Sequence, residues 1–388
     1  MIDRAAYRSR IIELLDRYPV VLLLGPRQCG KTTLAREIAR VRNAAYYDLE
    51  DPDSPLRPDS ASFTLKPMTG LVVIDEFQRM PQLFELLRVL ADRRPIPARF
   101  LILGSASLDL VKGVSESLAG RVAYMPMGGF QIPEVGTEHW RRLWTRGTFP
   151  DSFLAKDDIQ SYEWRQDFIQ SFLERDLPQL GITVPSPTLR RFWTMLAHWH
   201  GQIWNASDLA RAMDTAPRTA KRYLDILSGA FMVRQIQPWF MNTRKRLVKS
   251  PKVYFRDSGL LHALLGLRNH DSVMSHPRLG FSWEGFAIED ILTRFRVERD
   301  AYFYKAHGGT ELDLLVGSNG NRMGFEFKFA SAPAVTAAMH TAIEDLGLRR
   351  LFIVHPGIDR YAVHERIEVT PLHLLTSDDL GQEPHKPG

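Results

Sequence analysis

One cysteine, Cys29, is the only sulfhydryl in 388 residues, which excludes a disulfide within the chain and fits a reducing compartment. Long hydrophobic runs are missing as well: no stretch nears the ~20 apolar residues of a membrane-spanning helix. Residues 1–18 interleave charged and apolar positions at helical spacing and lack the apolar core of a secretion signal. These absences predict a cytoplasmic chain with no membrane partner. Repeats are also lacking, and only residues 377–388, rich in Asp, Gly, Pro and His, read as a loose tail. The remaining composition, 44% hydrophobic and 24% charged, holds enough apolar material for about two or three packed domains.

Residues 25–32 read Gly25-Pro26-Arg27-Gln28-Cys29-Gly30-Lys31-Thr32, a complete Walker A phosphate loop, directly after the apolar run Val20-Val21-Leu22-Leu23-Leu24. The run reads as a buried strand, and the glycines let successive backbone N–H groups turn toward a phosphate. Lys31 would neutralise the β and γ phosphates, Thr32, followed by Thr33, would offer a hydroxyl to Mg²⁺, and a helix from Lys31 would aim its positive end at the anion. Strand, loop and helix occur in the order the motif requires, so a nucleoside triphosphate, ATP, with Mg²⁺ is the expected ligand. Cys29 at the helix N-terminus either carries an activated thiolate or fills a variable loop position.

A second apolar run, Leu71-Val72-Val73-Ile74, ends in Asp75-Glu76, the pattern of Walker B. Asp75 would hold Mg²⁺ and Glu76 would polarise the attacking water. Residues 99–103 form a third run ending in Gly104-Ser105, where Ser105 is either a sensor of the γ-phosphate or a turn serine. Arg121, closing Glu116-Ser117-Leu118-Ala119-Gly120-Arg121, is either an arginine finger that reaches a neighbouring subunit's nucleotide or a surface arginine.

With these motifs the chain resembles the AAA+-type ATPases whose C-terminal part is the DUF4143 domain. The resemblance also rests on Leu143-Trp144-Thr145-Arg146-Gly147-Thr148-Phe149-Pro150, on Phe172-Leu173-Glu174-Arg175-Asp176, and on Ser250-Pro251-Lys252-Val253-Tyr254-Phe255-Arg256-Asp257-Ser258-Gly259-Leu260. It implies an α/β chain: a P-loop AAA+-type core (1–135) with a helical lid (136–200), a winged helix-turn-helix (201–256), and a restriction-endonuclease-like α/β domain (257–376). If Arg121 acts in trans, the working form is a homo-oligomer, a ring or partial ring.

The net charge is +5, but between positions 211 and 252 ten Lys or Arg stand against two Asp, so this segment is more basic than the whole. Residues 206–213 read as a helix, 214–216 as a turn and 217–228 as a second helix opened by Pro217. The second helix would expose Arg218, Lys221 and Arg222 and bury Ala220, Leu224 and Leu227; a basic wing carrying Arg244, Lys245 and Arg246 would add phosphate contacts. DNA is the partner this pattern favours, with a protein-docking face as the alternative.

In the last third, Glu284 falls in a helix, Asp313 in the strand 311–316, and Glu326 with Lys328 in the strand 324–329. That order resembles a PD-(D/E)xK nuclease core, in which Asp313, Glu326 and Glu284 would hold a divalent metal and Lys328 would stabilise charge at the scissile phosphate. Leu312 stands where such cores usually carry proline. An alternating, half-exposed strand would give the same pattern without catalysis. Residues 162–173 read as lid helix, with Arg175 either a nucleotide contact or a surface ion pair. His198 and His200, two apart, fall on different helix faces and do not make a metal pair. The expectation is an Mg²⁺-dependent ATPase coupled to DNA binding or remodelling, with nuclease activity open. The competing reading is an ATP-gated signalling or defence switch whose winged helix and inactive nuclease-like domain bind a protein.

Overall fold

The computed structural model describes residues 2–105, 120–240, 248–306, 309–317 and 320–381. The chain divides into two compact units, one of residues 1–130, 171–184 and 225–232, the other of the remainder. Among the described residues no helix is long and apolar enough to cross a membrane.

The first unit is built on five strands: β1 Val20–Leu24, β2 Ala45–Asp48, β3 Gly70–Asp75, β4 Ala98–Gly104 and β5 Val122–Pro126. Their order is β2-β3-β4-β1-β5 and every pairing is parallel. This is why the three apolar runs carry no polar alternation: both faces of a parallel sheet are covered, and all five residues of β1 are buried. The helix Lys31–Arg42 turns Leu34, Ala35, Ile38 and Ala39 inward and stops at Asn43, whose φ of +48° ends the helical path. The register Leu24↔Gly104 and Asp48↔Asp75 brings the carboxyl ends of the strands level. Open α/β sheets bind ligands at that edge.

The second unit contains a mixed sheet of nine strands: β6 Gln202–Ile203, β7 Val233–Pro238, β8 Lys252–Phe255, β9 Ala301–Lys305, β10 Glu311–Val316, β11 Met323–Phe327, β12 Arg350–His355, β13 Tyr361–His364 and β14 Ile367–Pro371. The order is β13-β14-β12-β11-β10-β9-β7-β8-β6. The helices Ala206–Met213 and Pro217–Gly229 form where expected; Asn205 caps the first by accepting from Ser207 and Asp208 N–H, and Asp214 ends it with φ +51°. After them, β7 and β8 pair antiparallel, and β7 also joins β9, so the strands of segment 201–256 and those of 257–376 lie in one sheet. The expected wing arginines and lysine, Arg244, Lys245 and Arg246, lie outside the described residues. The strand expected over 324–329 ends at Phe327. Of the expected loose tail, Asp378–Leu380 forms a turn of 3-10 helix, held by ion pairing of Asp379 with Arg360 at 2.5 Å.

Candidate functional site

Gly25 leaves β1 in a place only glycine fits: its N–H donates to Gly104 O at 3.2 Å, and a Cβ there would stand 1.9 Å from Met127 O. Gln28 and Gly30, with φ of +61° and +98°, curl the loop before Lys31 opens its helix. Lys31 is buried, and its ammonium donates to Gly25 O at 2.9 Å and Pro26 O at 2.6 Å. It therefore rests on carbonyls of its own loop, weaker acceptors than a phosphate. Thr32 is half-buried and Thr33 exposed beside it. Arg4 straps the loop: Nη1 donates to Cys29 O and Gly128 O, both at 3.1 Å, and Nη2 to Gly129 O at 2.7 Å. No local pattern marks Arg4, because its partners are distant in sequence. Cys29 is buried, with Sγ 3.6 Å from Met127 O.

At the end of β3, Asp75 is 1% exposed, and both of its oxygens are engaged: Oδ2 accepts from the Tyr46 hydroxyl at 2.6 Å and Oδ1 from Glu76 N–H at 2.9 Å. Burial, and then the Asp75 charge, push the Tyr46 phenol far above its ordinary value, so it stays a donor. Glu76 has φ +56°, a left-handed conformation that costs a non-glycine residue on the order of 1–3 kcal/mol. Its Oε2 accepts from Ser105 Oγ at 2.9 Å and from the Gln78 amide. Glu76 and Ser105, from the ends of adjacent strands, are thus brought together. Tyr46 and Gln78 were not found from the sequence; a hydroxyl on a strand end or an amide two residues past a carboxylate is too common to stand out.

Arg27, in the middle of the loop, is ion-paired with Asp176 and with Glu50, the latter at 2.5 Å. Asp176 closes the π-helical turn Phe172–Asp176, which continues the helix Asp158–Ser171. A recess lined by Arg27, Gln78, Ser105, Phe172, Asp176 and Met232 adjoins these groups. Arg175 pairs with its neighbour Asp176 at 3.4 Å and is largely exposed. Arg121 makes a two-bond pair with Asp92, Nε to Oδ1 at 2.5 Å and Nη2 to Oδ2 at 2.9 Å. An arginine finger must leave that pair to act.

In the second unit, Glu284, Asp313 and Glu326 are all buried. Asp313 lies where β10 shifts register against β9, between Leu312 and Leu315, an irregularity that re-aims side chains. Its Oδ2 accepts from Phe327 N–H at 3.2 Å. The Tyr254 hydroxyl donates to Glu284 Oε1 at 2.5 Å, and Lys328 Nζ is 3.0 Å from Glu326 Oε2. Lys252 Nζ stands among the acids, 2.9 Å from Glu311 and 3.5 Å from both Glu284 and Asp313. Burial, reinforced by the Asp313 charge, lifts the Glu284 carboxyl to about 7 and that of Glu326 to about 8. Burial opposes the charge on Lys252, but Tyr254 and the surrounding carboxylates outweigh it and hold the lysine protonated. Among the described residues no group of three or more His, Cys, Asp and Glu side chains could hold a metal ion. Of the expected trio of Glu284, Asp313 and Glu326, the first two share the Lys252 ammonium, which stands 3.5 Å from each.

Residues 17–136 match the family described as an AAA domain (AAA_14), and residues 279–375 match a domain of unknown function, DUF4143. Both were expected; residues 137–271, which span the segments expected as a helical lid and a winged helix-turn-helix, match a further domain of unknown function, DUF8612. Two mycobacterial proteins, "Uncharacterized protein Rv2008c" of Mycobacterium tuberculosis and "Uncharacterized protein Mb2031c" of Mycobacterium bovis, are each 46% identical over 383 residues, covering 98% of this chain and 87% of theirs. This chain belongs to their family. It carries an AAA-type P-loop ATPase domain followed by the DUF8612 and DUF4143 segments. Among solved structures, the Walker-type ATPase PABY2304 of Pyrococcus abyssi superposes with a TM-score of 0.48 at 16% identity, covering 68% of this chain and 96% of that one. So remote a likeness adds nothing to the sheet order already described.

The family's distinctive middle segments have structural work to do. Asp257 accepts from Leu260 N–H at 2.7 Å, capping its helix, and from Thr148 N–H and Oγ1 at 2.6 and 2.8 Å. Arg165 is buried and donates to Thr145 O at 3.3 Å and Gly259 O at 2.9 Å. These bonds join the Trp144-to-Pro150 stretch to the Asp257-to-Leu260 stretch. His200 is buried too, accepting from Phe255 N–H at 3.0 Å, which accounts for it without a metal. On the helix Pro217–Gly229, Arg218, Lys221 and Arg222 are exposed, while Ala220, Leu224 and Leu227 are buried.

Proposed function

We propose that this chain is an Mg²⁺-dependent ATP hydrolase that couples nucleotide turnover to engagement of DNA. The observation that carries the reading is the gathering of Lys31, Asp75, Glu76 and Ser105 at the carboxyl edge of one parallel sheet. Lys31 has two loop carbonyls and the Cys29 sulfur to give up for a phosphate. Thr32 and Asp75 are oxygen donors suited to Mg²⁺, which when bound would neutralise phosphate charge. Glu76, released from Ser105 and Gln78, would orient the attacking water, and Ser105 would pass to the γ-phosphate. Arg121, freed from Asp92, would act on a neighbour's nucleotide in a ring or partial ring.

The DNA half of the proposal is supported by the exposed Arg218, Lys221 and Arg222 on the second of two consecutive helices, followed in the chain by the antiparallel pair β7 and β8, the element order of a winged helix. The helix-strand-strand placement of Glu284, Asp313 and Glu326, with Lys328 just past the end of β11, supports a nuclease-like ancestry for the last segment. The test is ATP turnover of purified full-length protein with Mg²⁺, with and without linear, single-stranded and branched DNA. DNA-stimulated turnover lost in Lys31→Ala is expected. Turnover indifferent to every DNA, with no DNA binding at low salt, would overturn the coupling and favour a nucleotide-gated switch acting on a protein.

A further inference from the structure

A buried lysine is costly unless carboxylates surround it, and clustered buried carboxylates are costly unless a cation joins them. In the second unit each side of that pair is present. The side chain of Lys252 is 5% exposed, and its three N–H donors face three different carboxylates, Glu311, Glu284 and Asp313. The other partners of these acids come from the protein as well. Lys305 takes Glu311 Oε2 at 2.7 Å, Tyr254 takes Glu284 Oε1, Phe327 N–H takes Asp313 Oδ2, and Lys328 takes Glu326 Oε2. Strand β8 supplies both Lys252 and Tyr254, so one short segment brings the cation and the hydroxyl together.

We infer that the Lys252 ammonium is the resident cation of this acidic centre, and that the centre takes no divalent metal while Lys252 is in place. Oxygen ligands close on Mg²⁺ or Ca²⁺ at about 2.0–2.6 Å; an ammonium at 2.9 to 3.5 Å from the same carboxylates holds the volume the ion would need. A second cation beside it would meet like-charge repulsion in a poorly solvated place. The acids that could have held a metal are thus served by a side chain of the same unit. This inference stands on the side chains of the second unit alone and does not depend on the nucleotide or DNA readings.

The experiment is Mn²⁺ binding to the full-length, nucleotide-free protein, followed by electron paramagnetic resonance and by calorimetry. Wild type, Asp313→Asn, Lys252→Ala, Lys252→Met and the Lys252→Ala/Asp313→Asn double variant are compared, with folding checked by circular dichroism. The expected result is no stoichiometric Mn²⁺ on wild type, one Mn²⁺ per chain gained by Lys252→Ala, and its loss in the double variant. Stoichiometric Mn²⁺ on wild type that Asp313→Asn removes would overturn the inference, as would a folded Lys252→Ala or Lys252→Met that gains none. Wild type and Asp313→Asn decide by themselves should both lysine variants unfold: uptake by wild type that Asp313→Asn abolishes refutes, and absence of such uptake upholds.

Discussion

The guanidinium of Arg27, inside the phosphate loop, is ion-paired with Asp176, 149 positions further along the chain, and the two side chains are only 12% and 7% exposed. Removing one partner of a buried pair strands the other charge. Asp176→Ala therefore destabilises the first unit by about 3 kcal/mol, at the low end of the usual range because Glu50 still faces Arg27. Urea unfolding followed by tryptophan-independent probes such as far-ultraviolet circular dichroism reads the change, and Asp176→Asn, which keeps shape and polarity, loses less.

The water-orienting role proposed for Glu76 predicts that binding and turnover separate on its replacement. Its carboxylate is held by Ser105 and Gln78 and makes no bond to the loop that Lys31 grips. Glu76→Gln is expected to leave ATP affinity within a few-fold of wild type while turnover falls about 10²–10⁴-fold, the range for losing a positioned general base. Lys31→Ala loses affinity and turnover together. Equilibrium binding of a fluorescent ATP analogue beside steady-state phosphate release distinguishes the two patterns.

Acid acts on two buried histidines. Burial lowers both His200 and His262 to about 3 from an ordinary 6.5. His262 Nδ1 donates to Thr145 O at 3.0 Å, while its Nε2 takes the proton of Ser282 Oγ at 2.7 Å, so protonation would remove an acceptor in the core. A folded pKa below the unfolded one means stability is fully present above about 6.5 and is lost as pH falls toward about 3. Stability of the second unit falls across that window, and His262→Asn gives a shallower fall, measured as denaturation midpoints from pH 7 down to pH 4.

On the helix Pro217–Gly229, each of Arg218, Lys221 and Arg222 that meets a phosphate adds to the salt dependence of DNA binding. Under the proposed DNA reading, replacing the three by Gln is expected to lower affinity across all sequences and to reduce the slope of log K against log salt by about 0.9 for each phosphate no longer neutralised. Fluorescence anisotropy at several salt concentrations measures this. An unchanged slope would remove this helix from the proposed DNA contact.

The phosphate loop, β3 with Asp75-Glu76, β4 with Ser105 and the two helices after Asn205 were legible in the sequence because each is local: strand, turn and cap are written in consecutive residues. The Asp176 partner of Arg27, the Arg4 strap and the Lys252 cation were not, since each joins residues that only the folded sheet brings close. Asp313 illustrates both sides. Its position in a strand was readable from the apolar run around it, but the bulge that aims it and the lysine that meets it come from β9 and β8. The joining of β7 to β9, which merges two expected segments into one sheet, was likewise hidden, as a pairing two residues long leaves no periodic trace.

Cys29 has a practical corollary. With one sulfhydryl in the sequence, a maleimide dye has a single point of attachment, and that point is sealed beneath Met127 within the phosphate loop. Labelling can proceed only when the loop lifts from its resting arrangement. The reaction rate of the native, unmutated protein is thus a stopwatch for loop opening, and ATP, by closing or holding the loop, should slow or hasten it without any engineered probe.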